Sequence, residues 1–170
     1  YNNELYDGGS YGKIYRTLRN EIVAERNGSV SALTVYNNEL YDGGSYGKIY
    51  KTLDNKVVAE RDDWVLALAV YNNELYDGGS YGKIYRTLDN KVVAERDGPV
   101  WALAVYNNEL YDGGTHGKIY RTLRNKKIAE RDDWVRALAV YNNELYDGGD
   151  YGLYNTFTNK KITDLPVTCM

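Results

Sequence analysis

Five aspartates recur at one position of the sequence and have side chains that could bind a ligand. They are Asp7, Asp42, Asp77, Asp112 and Asp147. Each comes directly before a pair of glycines, and successive copies are 35 residues apart. A carboxylate there can accept hydrogen bonds from sugar hydroxyls or bind a cation, and it can equally accept backbone N–H bonds within its own turn. Both interpretations stay open at this point.

The five carboxylates must lie far apart or be paired with cations, because neighbouring negative charges repel one another and make ionisation unfavourable. Lysines follow the glycines in the first four copies, and we expect them to be the partners: Lys13, Lys48, Lys83 and Lys118. An aromatic ring stands between aspartate and lysine in the same turn, at Tyr11, Tyr46, Tyr81, His116 and Tyr151. Its flat face could stack on a ligand, or it could simply cover the turn.

Other motifs that carry chemistry are missing from the sequence. His116 is the only histidine, and nothing nearby supplies the remaining ligands of a zinc site. A glycosidase needs one pair of carboxylates that differs from the rest, whereas the acidic residues here recur almost symmetrically. We therefore expect no catalytic residue, no metal and no cofactor.

Composition narrows the class of partner. The formal net charge of −3 argues against nucleic acid, which basic surfaces bind. No apolar run is long enough to span a membrane, and Cys169, the only cysteine, excludes an intramolecular disulfide framework. The expected partner is a protein, a peptide or a glycan, and the expected state is a monomer.

The sequence Y-N-N-E-L-Y-D-G-G occurs five times, beginning at Tyr1, Tyr36, Tyr71, Tyr106 and Tyr141. One repeat reads as four short strands, which we predict at 65–70, 74–77, 83–88 and 91–95. Asn-Asn, glycine-rich and Asp-Asn turns separate them. Four strands joined by tight turns make one antiparallel sheet, and such a sheet must stack on its neighbours to bury a core.

The two ends of the chain favour radial stacking over a linear solenoid. The first copy lacks the apolar strand that precedes the others, and the tail at 166–170 aligns with Pro99 to Leu103. We expect this tail to complete the first sheet and close a ring, which removes two open sheet edges. The prediction is one all-β domain over 1–170, a five-bladed β-propeller with repeats at 1–35, 36–70, 71–105, 106–140 and 141–170.

The segment L-Y-D-G-G-S-Y-G-K-I-Y resembles the blade signature of the β-propeller superfamily and is similar to WD-repeat and PQQ-type blades. The resemblance covers all five repeats and implies the fold, not an activity. The third strand ends in Arg86-Thr87-Leu88 rather than in a Trp-Asp dipeptide. The repeat is also shorter than the ~40–45 residues of WD-type blades.

Differences between the copies point to one face of such a ring. In an up-and-down blade the glycine turn and the connection to the next blade lie at the same end. Variation collects there: Trp64 and Trp134 lie in connections, and the first strand carries Ser31, Leu66, Trp101, Arg136 or Thr168 at one position. We predict a binding scaffold that uses this face, produced by recent amplification or engineering. A multivalent lectin is the alternative, and a glycosidase-like enzyme is a remote third.

Overall fold

The computed structural model describes residues 1–168, and within them five antiparallel β-sheets account for the fold. The all-β prediction is confirmed. The first sheet has three strands, β1 (Tyr6–Gly8), β2 (Lys13–Arg16) and β3 (Glu21–Glu25). The other sheets have four strands each, in the order of the chain.

The strands of the second sheet are β4 (Val30–Tyr36), β5 (Glu39–Gly44), β6 (Lys48–Lys51) and β7 (Lys56–Glu60). Those of the third are β8 (Val65–Tyr71), β9 (Glu74–Gly79), β10 (Lys83–Arg86) and β11 (Lys91–Glu95). Those of the fourth are β12 (Val100–Tyr106), β13 (Glu109–Gly114), β14 (Lys118–Arg121) and β15 (Lys126–Glu130). Those of the fifth are β16 (Ala137–Tyr141), β17 (Glu144–Gly149), β18 (Gly152–Asn155) and β19 (Lys161–Thr163).

Turn residues fix this pattern. Asn72 and Asn73 both have positive φ, 48° and 56°, so Tyr71 can pair with Glu74 across a two-residue hairpin. The third strand is shorter than predicted, because Thr87–Asp89 forms a 3₁₀ turn instead of continuing β10. Asn90 ends that turn in the left-handed region, with φ 59°.

The core lies between neighbouring sheets. Ile49 from one sheet packs with Val65 from the next, and both are fully buried. Gly43 allows this approach, since a Cβ there would lie 2.6 Å from Cγ1 of Val65. One repeated leucine does not join this core: it is exposed in the turn after the third strand of the repeat, as Leu18, Leu53, Leu88 and Leu123.

The tail approaches the fifth sheet. The amide of Val167 donates to the carbonyl oxygen of Gly149 at 2.8 Å. Of the proposed closing strand at 166–170, Cys169 and Met170 lie outside the described residues, so pairing with β1 stays a prediction. Leu5 at the start of the first sheet is 59% exposed, whereas its counterpart Leu75 is 1% exposed. No helix within residues 1–168 is long and apolar enough to cross a membrane.

Candidate functional site

Four of the five repeated aspartates are buried between sheets, with about 1% of their surface exposed: Asp42, Asp77, Asp112 and Asp147. Each carboxylate accepts two hydrogen bonds from an arginine of the preceding repeat. In one such pair, Nε and Nη2 of Arg61 lie 2.7 Å from Oδ2 and Oδ1 of Asp77. Such bidentate pairs are among the stronger and more directional charge-assisted contacts in proteins.

Three further contacts hold the Arg61 guanidinium and the Asp77 carboxylate. Nη1 of Arg61 donates to Oδ1 of Asn90 at 2.6 Å, and the guanidinium carbon lies 4.2 Å from the centre of the Tyr85 ring. The hydroxyl of Thr87 donates to Oδ1 of Asp77 at 2.8 Å. These acceptors and donors are saturated by the fold itself, so the carboxylates join blades together.

The predicted lysine partners of the aspartates are therefore wrong. Lys48 lies 3.7 Å from Glu60 rather than pairing with Asp42. The partners are four arginines that recur with the same spacing as the aspartates: Arg26, Arg61, Arg96 and Arg131. The recurrence of arginine at the spacing of the aspartates could have identified these partners from the sequence. A guanidinium can form two parallel hydrogen bonds to a carboxylate, which an ammonium group cannot.

Asp7 is the exception among the five aspartates. It is exposed, and it accepts a hydrogen bond from the Thr17 hydroxyl at 2.5 Å. In the strand register, Lys161 lies opposite Tyr154 in the last sheet as Lys127 lies opposite Tyr120 in the sheet before it. Counting four residues on from each lysine, Leu165 occupies the position that Arg131 has one repeat earlier. At the end of the last sheet a leucine thus takes the place of the arginine, and 72% of its surface is exposed.

Glycine turns and connections meet at one end of the sheets. The amide of Ser80 in the third glycine turn donates to the carbonyl oxygen of Trp64 in the preceding connection at 3.2 Å. Thr115 and Pro99 make the same contact one sheet further on, at 3.1 Å. We call this end the glycine-turn face.

The variable position of the first strand lines a single cavity of about 380 Å³, which we call the central opening. Its walls come from the inner strands β4, β8, β12 and β16 and from the tail. The five side chains at the variable position are Ser31, Leu66, Trp101, Arg136 and Thr168. Around it the alanines and leucines of the same strands form an apolar wall.

Aromatic and charged groups cluster on one side of the central opening. The rings of Trp101 and Trp134 are stacked, with centroids 6.2 Å apart. Arg136 covers the Trp134 ring at 4.9 Å, and its Nε and Nη2 each lie 2.8 Å from a carboxylate oxygen of Asp150. This hydrogen bonding raises the pKa of the Arg136 guanidinium and lowers the pKa of the Asp150 carboxyl. Trp134 reaches the opening only through its contacts with Trp101 and Arg136, and neither Trp134 nor Trp64 is part of the lining; they are 42% and 54% exposed.

The turn aromatics lie further out, in crevices between sheets. Tyr46 and Asp42 line the first crevice, Tyr81 and Asp77 the second, and His116 and Asp112 the third. The crevices differ in size, with volumes of about 460, 80 and 20 Å³. Tyr11 and Tyr151 are exposed on their own turns. The structure thus places some of the predicted site residues at the central opening and others in the crevices, whereas Trp64, Tyr11, Tyr151 and Asp7 line neither.

Metal coordination finds no support in the part of the chain that is described. Residues 1–168 contain no group of three or more histidine, cysteine or acidic side chains that could hold a metal ion. The four buried aspartates of the repeat are each paired with an arginine.

Comparison with known proteins places the fold. No protein-family description and no curated protein matches the sequence. Among solved structures, the WD40 β-propeller domain of Doa1 superposes with a TM-score of 0.67 at 15% identity, over 94% of this chain and 64% of that one. The computationally designed protein Ika8 gives a TM-score of 0.63 at 19% identity, over 96% of this chain and 58% of Ika8. The chain thus spans less than two thirds of either structure.

A second designed protein, Ika4, is closer in size. It superposes with a TM-score of 0.57 at 20% identity, over 76% of this chain and 92% of Ika4. At such low sequence identities, the superpositions support a shared fold and nothing about function. The resemblance to β-propellers is confirmed, with repeated blades and internal symmetry.

Proposed function

We propose that this chain is a non-catalytic β-propeller scaffold that binds a segment of a protein or peptide at the central opening of its glycine-turn face. The observation that carries the proposal is the lining of that cavity. The one strand position at which all five copies differ supplies five side chains to the same space. Elsewhere in the repeat most positions stay the same, so the cavity is where one copy is distinguished from another.

The lining, together with Trp134 stacked against it, has the chemistry of a protein-binding centre. Tryptophan and arginine are enriched among the residues that dominate binding energy at interfaces. Trp101, Trp134 and Arg136 form one stacked group, held in place by Asp150. Leu66 faces the same cavity with an apolar side chain. We expect a bound segment to place an apolar or aromatic side chain against Trp101 and a carboxylate or carbonyl oxygen near Arg136.

The alternatives fit less well. A glycosidase pairs two carboxylates in different environments, but four equivalent aspartates here are each neutralised by an arginine. A lectin with about five equivalent sites needs equal crevices, and three of them differ from about 460 to about 20 Å³. Binding at the single central opening does not require equivalence.

We further infer that residues 1–170 form one domain and act as a monomer, with the tail as the inner strand of the first blade. The amide of Val167 bonds to Gly149 at 2.8 Å as that of Val135 bonds to Gly114 at 2.9 Å. Thr168 also lines the central opening beside the four inner strands. Both contacts are those that an inner strand between the fifth and first sheets would make.

The test uses a random peptide library displayed on phage and selected against the whole chain. Selected peptides should change the tryptophan fluorescence, because Trp64, Trp101 and Trp134 are the only tryptophans and all lie at this face. Trp101→Ala should weaken binding by about tenfold or more. Arg136→Gln should weaken it as well, while melting curves confirm that both variants fold.

Leu53→Ala is the matched control, since Leu53 is exposed in a turn at the opposite end of its sheet. Binding should be unchanged in that variant. The proposal is wrong if the library yields no specific binder, or if Trp101→Ala and Leu53→Ala bind the selected peptides equally well.

A further inference from the structure

Glycine turns of identical sequence adopt two conformations. The first three copies share D-G-G-S-Y-G-K-I-Y. Tyr46 in the second copy has φ 69°, in a 3₁₀ turn at Ser45–Gly47, and His116 in the fourth has φ 67°. Tyr81 in the third copy is not left-handed, and its turn is closed by a bond from the Gly82 amide to the Gly79 carbonyl oxygen at 3.2 Å. The cause must lie outside the turn.

The connection from the preceding blade accounts for the difference. Gly28 faces the second turn, and a Cβ added there would lie 2.7 Å from Cε2 of Tyr46. Asp63 stands at the same position before the third turn, and its Oδ2 accepts the Tyr81 amide at 2.5 Å. Glycine thus leaves room for a left-handed aromatic residue, whereas aspartate binds the turn in its other form.

The first crevice, lined by residues 26–30 and 42–46 with Lys48 and Tyr50, is the one that stays open. Its volume of about 460 Å³ falls in the range of small-molecule sites. The connection before the third crevice also has a glycine, Gly98, at the position of Gly28. That crevice is nevertheless lined by Pro99, Thr115 and His116, and its volume is only about 20 Å³. Ser29 and Ser45 are the small side chains that keep the first crevice open.

Polar groups and one aromatic face line this space. The hydroxyl oxygens of Ser29 and Ser45 are 2.5 Å apart and share one hydrogen bond. The Tyr46 ring is 70% exposed in a backbone conformation that bulky residues rarely adopt, a feature that clusters at ligand sites. Arg26 and Asp42 neutralise each other. Lys48 also lines the crevice, and its Nζ lies 3.7 Å from Oε1 of Glu60 outside it, so a bound anion would compete with Glu60 for this ammonium.

We propose that the first crevice binds one small anionic, hydroxyl-rich molecule, such as a carboxylate-bearing monosaccharide. Its ring lies against Tyr46, its hydroxyls exchange hydrogen bonds with Ser29 and Ser45, and its carboxylate pairs with Lys48. The site is separate from the central opening, and we expect it to be single, because the second and third crevices hold only about 80 and 20 Å³.

Titration with D-glucuronate, followed by amide NMR and calorimetry, tests this proposal on the whole chain. We expect saturable shifts at Gly28, Ser29, Ser45 and Tyr46, with a stoichiometry of one. D-Glucose lacks the charge and acetate lacks the hydroxyls, so each should bind at least about tenfold more weakly. The proposal is overturned if no saturable shift occurs, if equivalent residues of all crevices shift alike, or if acetate binds as well as glucuronate.

Matched variants separate the first crevice from its copies. Lys48→Ala should weaken glucuronate binding about tenfold, whereas Lys83→Ala in the second crevice should leave it unchanged. Gly28→Asp should abolish binding by closing the crevice, while Gly98→Asp in the third should not. Equal effects of the two lysine variants would overturn the assignment even if Gly28→Asp failed to fold. Peptide binding at the central opening should be unaffected by Lys48→Ala.

Discussion

A buried arginine–aspartate pair joins each of the first four sheets to the next. In Arg61–Asp77 both side chains are almost fully buried, at 6% and 2% exposed, and the two bidentate contacts are 2.7 Å long. Removing one member of such a pair leaves a buried charge without compensation, which commonly costs about 3–5 kcal/mol. These aspartates were visible in the sequence as candidate ligands, and their burial makes them structural.

The aspartate substitutions give a prediction at the scale of single residues. Asp77→Ala should lower the free energy of unfolding by about 3 kcal/mol or more, because Arg61 stays buried without its partner. Asp7→Ala is the matched control: Asp7 is exposed and its hydrogen bond comes from the Thr17 hydroxyl rather than from an arginine, so about 0.5 kcal/mol is expected. Urea denaturation measures both values. Equal losses in the two variants would contradict a role for the arginine pair.

At the scale of elements, a connection sets the conformation of the turn that follows it. The glycine turns of the second and third blades have the same sequence, whereas the preceding connections differ at all three positions, Asn27-Gly28-Ser29 against Asp62-Asp63-Trp64. Of these positions, that of Gly28 and Asp63 faces the aromatic residue of the turn. Asp63 caps the Tyr81 amide, and Gly28 makes room for the Tyr46 ring. The conformation of each turn thus depends on a connection two strands earlier in the chain, before β4 in the second blade and before β8 in the third.

Asp63→Gly should therefore convert the third turn to the form of the second. Loss of the carboxylate frees the Tyr81 amide, and the missing Cβ makes room for its ring, so we expect Tyr81 to take a positive φ. The three-bond coupling between its amide and α protons reports φ directly. Asp62→Gly, one residue earlier in the same connection, should leave the coupling unchanged, and a Tyr81 coupling unchanged by Asp63→Gly would refute the coupling between connection and turn.

The strands could be predicted from the sequence, whereas the turn conformations could not. Period-two alternation and Asn-Asn turns predicted the four strands of a repeat, and the structure has them, because these signals act over a few residues. The end of the third strand was wrong, since the contact of Thr87 with Asp77 and the left-handed Asn90 turn the chain at Arg86. The two turn conformations could not be predicted from the turns, whose sequences are identical. The sizes of the crevices depend on those turn conformations, so they could not be predicted from the sequence either.

At the scale of the molecule, the two ends of the chain depart from the pattern of the other repeats. Leu165 replaces the arginine, Asp7 is exposed, and the first sheet has three strands within residues 1–168. The tail nevertheless bonds to Gly149 and lines the central opening at Thr168. The proposed binding site depends on a joint between the last and first blades, because Thr168 of the tail supplies one wall of the central opening.

Cross-strand NOEs in solution test this joint most directly. In the second blade Val30 pairs with Gly44 and Ala32 with Gly43. By equivalence Val167 should pair with Gly9 and Cys169 with Gly8, and a closed ring predicts amide NOEs between both pairs, together with slow hydrogen exchange along β1. Absence of these NOEs, with β1 amides exchanging as in an unfolded peptide, would show that the ends do not meet and would remove the central opening from the account.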